Sequence, residues 1–88
     1  MDIKGALYAV LGRRKIGIPS YQITEIRGNR QRFKCELRVP GVDYVGLGNS
    51  QGKKDAQTNA ARDFATYMIN QGMINASELP MLTVGSRK

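Results

Sequence analysis

Apolar and charged side chains alternate between residues 32 and 39. The apolar positions in this stretch are Phe33, Cys35, Leu37 and Val39, and each is flanked by charged residues or, at residue 40, by proline. A period of two places the two sets on opposite faces of a strand, which predicts a sheet with one covered and one solvated face. Residues 21–27 and 42–48 predict the neighbouring strands, joined to it through turns at residues 28–30 and 40–41.

Two other segments carry apolar residues at helical spacing. The first runs from Asp2 to about Arg14, and Asp2 lies where an acidic residue stabilises the start of a helix. The second runs from about Lys53 to Asn70, and we expect Asn49 or Ser50 to help cap its start. The apolar stripes of the two helices are Ile3, Leu7, Val10 and Leu11, and Ala56, Ala60, Ala61, Phe64, Tyr67 and Met68.

These elements predict an α+β domain with the order α-β-β-β-α. Short turns between consecutive strands favour a three-stranded antiparallel sheet, and the apolar stripes place both helices on its covered face, giving two layers. The domain is expected to span residues 1–72. Periodicity is lost after Gly72, so residues 73–88 are interpreted as a carboxy-terminal tail or linker.

Composition narrows the functions that such a domain can have. Its 14 Lys and Arg against 7 Asp and Glu give a formal net charge of +7, which favours a polyanionic partner. With one Cys and no His, the chain forms no intramolecular disulfide, no Cys/His zinc site and no histidine base, so we expect no cofactor, no metal and no catalysis. The sequence shows no targeting or membrane-spanning run, and we expect a reducing location in the nucleus or cytoplasm.

Lys53 and Lys54 open the second predicted helix. Lysine is normally unfavourable at the positive end of a helix, and free backbone N–H groups there already attract anions. A conflict of this kind is typical of functional sites, and Gln57, one turn later on the same face, extends the polar surface. The alternative is an exposed, solvated lysine pair.

Two further groups of residues are candidates for contact with a nucleic acid. Lys4 and Tyr8, four residues apart on the first helix, suit a minor groove lined with ribose hydroxyls, unless Tyr8 packs at the edge of the core and Lys4 is solvated. The second group is the basic turn that contains Asn29 and Arg30, and one interpretation is that it reaches into a groove of the nucleic acid. The alternative is an ordinary hairpin turn with solubilising arginines.

The sequence resembles the double-stranded RNA-binding domain family over roughly residues 2–72. The resemblance rests on the element order, on Pro19-Ser20-Tyr21, on Phe33, Leu37 and Val39, and on residues 46–61, which contain the specific pattern Lys-Lys-x-Ala-x-x-x-Ala-Ala from Lys53. It implies recognition of A-form shape over about 16 bp through three regions. These are Lys4 and Tyr8 in one minor groove, the turn with Asn29 and Arg30 in the next, and Lys53, Lys54 and Gln57 on the phosphates between them.

Two positions depart from the family pattern. Asn29 stands where the family has the His of Gly-Pro-x-His, and Gln57 replaces a third lysine, which is expected to lower the salt dependence by about one unit. The amino-terminal domains of the RNA helicase A and maleless group share both departures. This narrower resemblance implies an accessory module of an ATP-dependent RNA helicase, with protein partners in a larger helicase complex; no phosphate-loop motif occurs in these residues.

The alternative function is a domain of the same fold that binds proteins and has weak or non-specific affinity for RNA. It would use the solvated sheet face or residues 73–80. An enzyme is disfavoured because no nucleophile and base can be assembled, and Asp55 and Asp63 are interpreted as surface charges of the second helix.

Overall fold

The elements follow in the order helix, three strands, helix. A computed structural model of the protein describes residues 2–80 and residue 82. The elements are α1 (Ile3–Arg13), β1 (Ser20–Ile26), β2 (Arg32–Arg38), β3 (Val45–Ser50), α2 (Lys53–Asn70) and a short 3-10 turn (Ala76–Glu78). The predicted α-β-β-β-α order is confirmed, and so are the bounds of α2.

The three strands form an antiparallel sheet in the order β1-β2-β3. Cys35 lies opposite Ile23 on one side and Gly48 on the other, and Glu36 lies opposite Gln22 and Leu47. Directly opposed residues share a face, so Cys35 marks the covered face and Glu36 the open one. The predicted alternation is confirmed, and both helices pack on the covered face. The core includes Leu7, Leu11, Cys35, Leu37, Phe64 and Met68.

The third strand begins later than the sequence predicts, at Val45 rather than at residue 42. Residues 39–42 form a tight turn, in which the Val42 N–H donates to the Val39 carbonyl at 3.0 Å and Gly41 has a φ of 87°. Tyr44, which directly precedes β3, lies outside the sheet. Its ring stacks on that of Tyr67 of α2, with ring centroids 3.9 Å apart. The prediction of a strand over 42–48 was therefore wrong in its bounds, because Tyr44 packs on the helix.

Two glycines of β3 let α2 lie against the sheet backbone. A Cβ atom at residue 48 would lie 2.2 Å from the Ala56 carbonyl oxygen and 2.4 Å from the Ala60 nitrogen. A Cβ atom at residue 46 would lie 2.7 Å from the Ala60 carbonyl oxygen. Ala56 and Ala60 are themselves fully buried. The glycines and alanines together bring the start of α2 close to the sheet.

The starts of the two helices differ in how they are capped. Asp2 caps α1, and its Oδ1 accepts a hydrogen bond from the Gly5 N–H at 2.9 Å. The residue at the corresponding position of α2 is Gly52, which provides no side-chain cap. The prediction that Asn49 or Ser50 caps α2 was wrong, since both residues belong to β3. The Ser50 hydroxyl accepts from the Gly52 N–H at 3.4 Å, before the first helical residue.

Polar side chains of α2 bind the backbone of β3. The carboxylate of Asp63 accepts hydrogen bonds from the Leu47 N–H at 2.8 Å and from the Tyr44 hydroxyl at 3.0 Å. One turn earlier, the Asn59 amide donates to the Asn49 carbonyl at 3.0 Å. The interpretation of Asp63 as a surface charge was wrong, because this carboxylate joins the helix to the strand.

Part of the segment interpreted as a tail packs against the domain. Ile74 and Leu79 are buried in the core, and the short turn between them places Glu78 against the end of α1. The carboxylate of Glu78 accepts from the Arg14 Nε at 3.2 Å and pairs with the Arg13 guanidinium at 3.4 Å. One short turn leaves no periodic signal in the sequence. The domain division at residue 72 stays a prediction, and Met81 and residues 83–88 of that segment lie outside the described residues.

Acid is expected to release the ion pairs that hold this segment. The hydrogen bond from Arg14, followed by that from the Asn75 N–H, lowers the pKa of Glu78 to about 2 from 4.5. A lowered pKa in the folded state means that the stabilisation is complete above about pH 4.5 and is lost as the pH falls towards 2. Glu78→Gln should therefore lower the thermal midpoint at pH 7, and the difference from wild type should vanish near pH 2. A constant difference between pH 7 and pH 2 in thermal unfolding would contradict this account.

Candidate nucleic-acid interface

The first turn of α2 presents two lysines at a helix start. Lys53 and Lys54 are exposed, and the backbone N–H groups of this turn donate to no capping side chain. The Lys53 ammonium lies 5.7 Å from the centroid of the Phe33 ring, within the range of a cation–π interaction. The helix dipole and two ammonium groups therefore form a positive surface suited to anions.

The α1 candidates lie beside this surface. Lys4 is partly buried, and its Nζ donates to the Gln57 Oε1 at 2.9 Å, which links the first turn of α1 to α2. Tyr8 is 58% exposed, so the alternative in which it packs into the edge of the core does not hold. The structure thus joins Lys4 to Gln57 and leaves the Tyr8 ring free for contact.

The turn between β1 and β2 lies at the same end of the sheet as the start of α2. Phe33, just after this turn, is opposite Ser50, just before α2, which fixes their relative position. Asn29 and Arg30 are exposed, as are the other residues of the turn. Among the hydrogen bonds of the described residues, none links Asn29 or Arg30 to either helix. The three candidate regions are therefore not joined into one network of contacts.

The lysines at the starts of the two helices differ from two of the cations on the open sheet face in their ion pairing. On that face, Glu36 pairs with Lys34 at 3.8 Å and with Arg38 at 3.2 Å. In the described part of the chain, no ion pair includes Lys4, Lys53 or Lys54. The helix lysines consequently keep their full charge towards a ligand.

Sequence reasoning missed two contacts at this site. The ring of Phe33 lies beneath Lys53, and Gln57 accepts from Lys4. Alternation correctly placed Phe33 on the covered face, but no sequence signal indicated that the side chain of Lys53 would reach it. The Lys4–Gln57 bond joins residues 53 positions apart, beyond any local pattern.

The described residues offer little for catalysis or metal binding. Burial raises the pKa of the Cys35 thiol, although the Lys4 ammonium opposes the rise, so this side chain is a poor nucleophile. Within residues 2–80 and 82, no group of three or more Cys, Asp or Glu side chains is arranged to hold a metal ion. None of the described helices has the length and hydropathy needed to cross a membrane.

Comparison with known proteins places this arrangement in a family. The model of the family described as "Double-stranded RNA binding motif" matches residues 3–67. Ribonuclease 3 of Glaesserella parasuis serovar 5 is 34% identical over 62 residues, which cover 68% of this chain and 28% of that protein. Ribonuclease 3 of Streptomyces coelicolor is 34% identical over 62 residues, which cover 69% of this chain and 22% of that protein. The chain thus matches less than a third of the length of these relatives.

Proposed function

This chain belongs to the double-stranded RNA-binding domain family, and we propose that it recognises duplex RNA by its A-form shape. The observation that carries the proposal is the positive surface at the start of α2, where Lys53 and Lys54 are exposed and without ion pairs among the described residues. In this proposal the two lysines contact phosphates across the major groove, where side chains cannot read the bases.

The minor-groove contacts come from the two flanking regions. Tyr8 projects from α1 beside Lys4, and its ring and hydroxyl suit the shallow minor groove with its ribose hydroxyls. Asn29 and Arg30 project from the turn at the end of the sheet and serve the next minor groove. Discrimination against DNA then follows from the groove width and the 2′-hydroxyl groups, which B-form DNA lacks.

A titration with matched duplexes tests this proposal. A blunt RNA duplex of about 16 bp is compared with a DNA duplex of the same sequence and with the single strands, at several salt concentrations. We expect tight binding to the RNA duplex alone, weakening linearly in a plot of log affinity against log salt. Equal, weak binding to both duplexes and to the single strands would contradict shape recognition and would leave only attraction by net charge.

We propose further that the chain is an accessory module of an ATP-dependent RNA helicase of the RNA helicase A and maleless type. Support comes from the residues that resemble that group, Leu7–Ala9, 29–36, 48–50 and 53–57, and from Asn29 and Gln57 at the two departures from the family pattern. Sequencing the coding region around this segment is the test, with a phosphate-binding loop and helicase motifs as the expected result. A ribonuclease catalytic region beside it would contradict this parent.

A second candidate function is protein binding through the open sheet face. Ile26 of β1 and Leu47 of β3 are 41% and 50% exposed on that face, on either side of the charged residues of β2. Residues 73–80 are less suited to this role, since Ile74 and Leu79 are buried against the domain. An Ile26→Ser/Leu47→Ser variant should retain RNA binding under the main proposal. If this variant no longer binds partner proteins while its RNA affinity is unchanged, the result would support protein binding through this face.

We also propose that the protein acts in a reducing compartment, the nucleus or the cytoplasm. The single cysteine, Cys35, is a free thiol buried under both helices, and an oxidising environment would offer it no partner in this chain. Imaging of the tagged full-length protein in cells tests this location, and secretion into the medium would contradict it.

A further inference from the structure

We propose that Lys4, although it belongs to α1, acts with Lys53 and Lys54 as the third cation of one phosphate-binding cluster, and that Gln57 is the positioning residue that holds it there. The inference rests on the proposed function, since it concerns how the same surface meets RNA. It replaces two expectations drawn from the family resemblance, that Lys4 lies with Tyr8 in a minor groove and that Gln57 costs the surface a positive charge. In this inference Lys4 supplies that charge from another helix.

The geometry brings Lys4 to the start of α2. Its Nζ lies 2.9 Å from the Gln57 Oε1, and Gln57 follows Lys53 by four residues, about 6 Å along the helix axis on the same face. The Lys53 ammonium lies over the Phe33 ring, 5.7 Å from its centroid. Through Gln57, the Lys4 ammonium is held at the same face of α2 from which Lys53 extends.

Lys4 is bonded to the neutral amide of Gln57, so its own positive charge is not cancelled. An amide oxygen accepts the hydrogen bond without neutralising the ammonium, whereas a carboxylate at residue 57 would cancel the charge. The ammonium has three N–H donors, and the bond to Gln57 uses one of them. Holding the long lysine side chain before RNA arrives also lowers the entropy that binding would otherwise cost. Lys4 is therefore positioned with its charge and two donors available for phosphate.

A double-mutant cycle on Lys4 and Gln57 tests the inference, with affinity for the 16-bp RNA duplex measured across salt concentrations. We expect Lys4→Ala to lower the affinity by roughly threefold to tenfold and the salt slope by about one unit, as for one lost phosphate contact. Gln57→Ala should lower the affinity by a smaller factor. In the Lys4→Ala background it should lower the affinity no further, because the residue that it positions is absent.

The matched control is Lys34→Ala, which removes the same charge from the open sheet face and should leave the salt slope unchanged. Additive losses from Lys4→Ala and Gln57→Ala would overturn the inference, since the two residues would then act independently. An unchanged salt slope in Lys4→Ala would also overturn it, because a purely structural bond between the helices affects thermal stability and not the number of phosphate contacts.

Moving the charge back to α2 gives an independent test. Gln57→Lys should add about one unit of salt slope in the Lys4→Ala background and restore the affinity to near wild type. In the wild-type background the gain should be smaller, because the new ammonium repels that of Lys4. An equal gain in both backgrounds would overturn the inference. If wild type itself fails to prefer duplex RNA, the proposed function has failed; if it binds and only these variants disagree, the cluster assignment has failed.

Discussion

The double variant Lys53→Ala/Lys54→Ala is expected to lose duplex RNA binding, with affinity falling roughly a hundredfold or more at physiological salt. In the proposed complex each lysine makes a charge-assisted hydrogen bond to phosphate, at a helix start whose dipole already favours an anion. The salt slope should fall by about two units. Titration by fluorescence anisotropy against the 16-bp duplex measures both quantities, and the thermal midpoint should change little because both side chains are exposed.

A control for net charge is available on the open sheet face. Lys34→Ala/Arg38→Ala removes two positive charges that already pair with Glu36 at 3.8 Å and 3.2 Å, so we expect almost no change in affinity or salt slope. A comparable loss in the two double variants would mean that the charge of the whole domain, and not the start of α2, drives binding. A loss of RNA affinity confined to the control would contradict the site outright.

The second large effect is expected at Gly48. Gly48→Ala should destabilise the domain by about 3 kcal/mol or more, the upper end of the range for overpacking. The added Cβ would lie 2.2 Å from one α2 backbone atom and 2.4 Å from another. Backbone atoms cannot move aside as a side-chain end can, so the helix must shift away from the sheet. Chemical unfolding measures the free energy, and a thermal midpoint lower by about 12 °C or more should accompany it.

A matched control for this substitution is Gly12→Ala. Nothing lies within 4 Å of a Cβ atom at residue 12, which belongs to α1, so alanine should stabilise the helix by a few tenths to about 1 kcal/mol. We therefore expect the free energy of unfolding to fall in Gly48→Ala and to rise in Gly12→Ala. A Gly48→Ala protein as stable as wild type would show that α2 does not need its close approach to β3.

Local periodicity predicted the fold well because one face of each element is buried. The alternation around Cys35 and Leu37 identified β2 and its covered face, and the stripe from Ala56 to Met68 gave α2 with its observed bounds. The prediction was weaker where burial depends on a distant partner. Tyr44 has a strand-like residue type but packs on Tyr67, so β3 starts later than its composition suggests.

The segment after α2 was missed for a related reason. Ile74 and Leu79 are apolar residues with no regular spacing, and only their position over the core shows that they are buried. Glu78 finds its partners at Arg13 and Arg14, more than sixty residues earlier in the chain. A contact between residues this far apart leaves no local pattern in the sequence.

Some features of the candidate site could be predicted from the sequence, and others could not. The lysines at the start of α2 could be singled out from the sequence, because lysine is normally unfavourable at the positive end of a helix. The place of Tyr8 off the apolar face of α1 left open whether the ring is exposed or packs at the edge of the core, and only the structure shows that it is exposed. The bond between Lys4 and Gln57 was not predictable, because it requires the relative placement of two helices. The RNA-contacting roles of Lys4, Tyr8, Asn29, Arg30, Lys53, Lys54 and Gln57 stay predictions.

The hydrogen bonds that Asp63 and Asn59 make to β3 also bear on self-association. An edge strand usually offers free N–H and carbonyl groups to which another chain can add a strand, a common start of aggregation. On β3, the Leu47 N–H and the Asn49 carbonyl are already bound by side chains of α2. A foreign strand would have to displace both. The helix that carries the proposed RNA-binding lysines therefore also protects this edge of the sheet against the addition of a foreign strand.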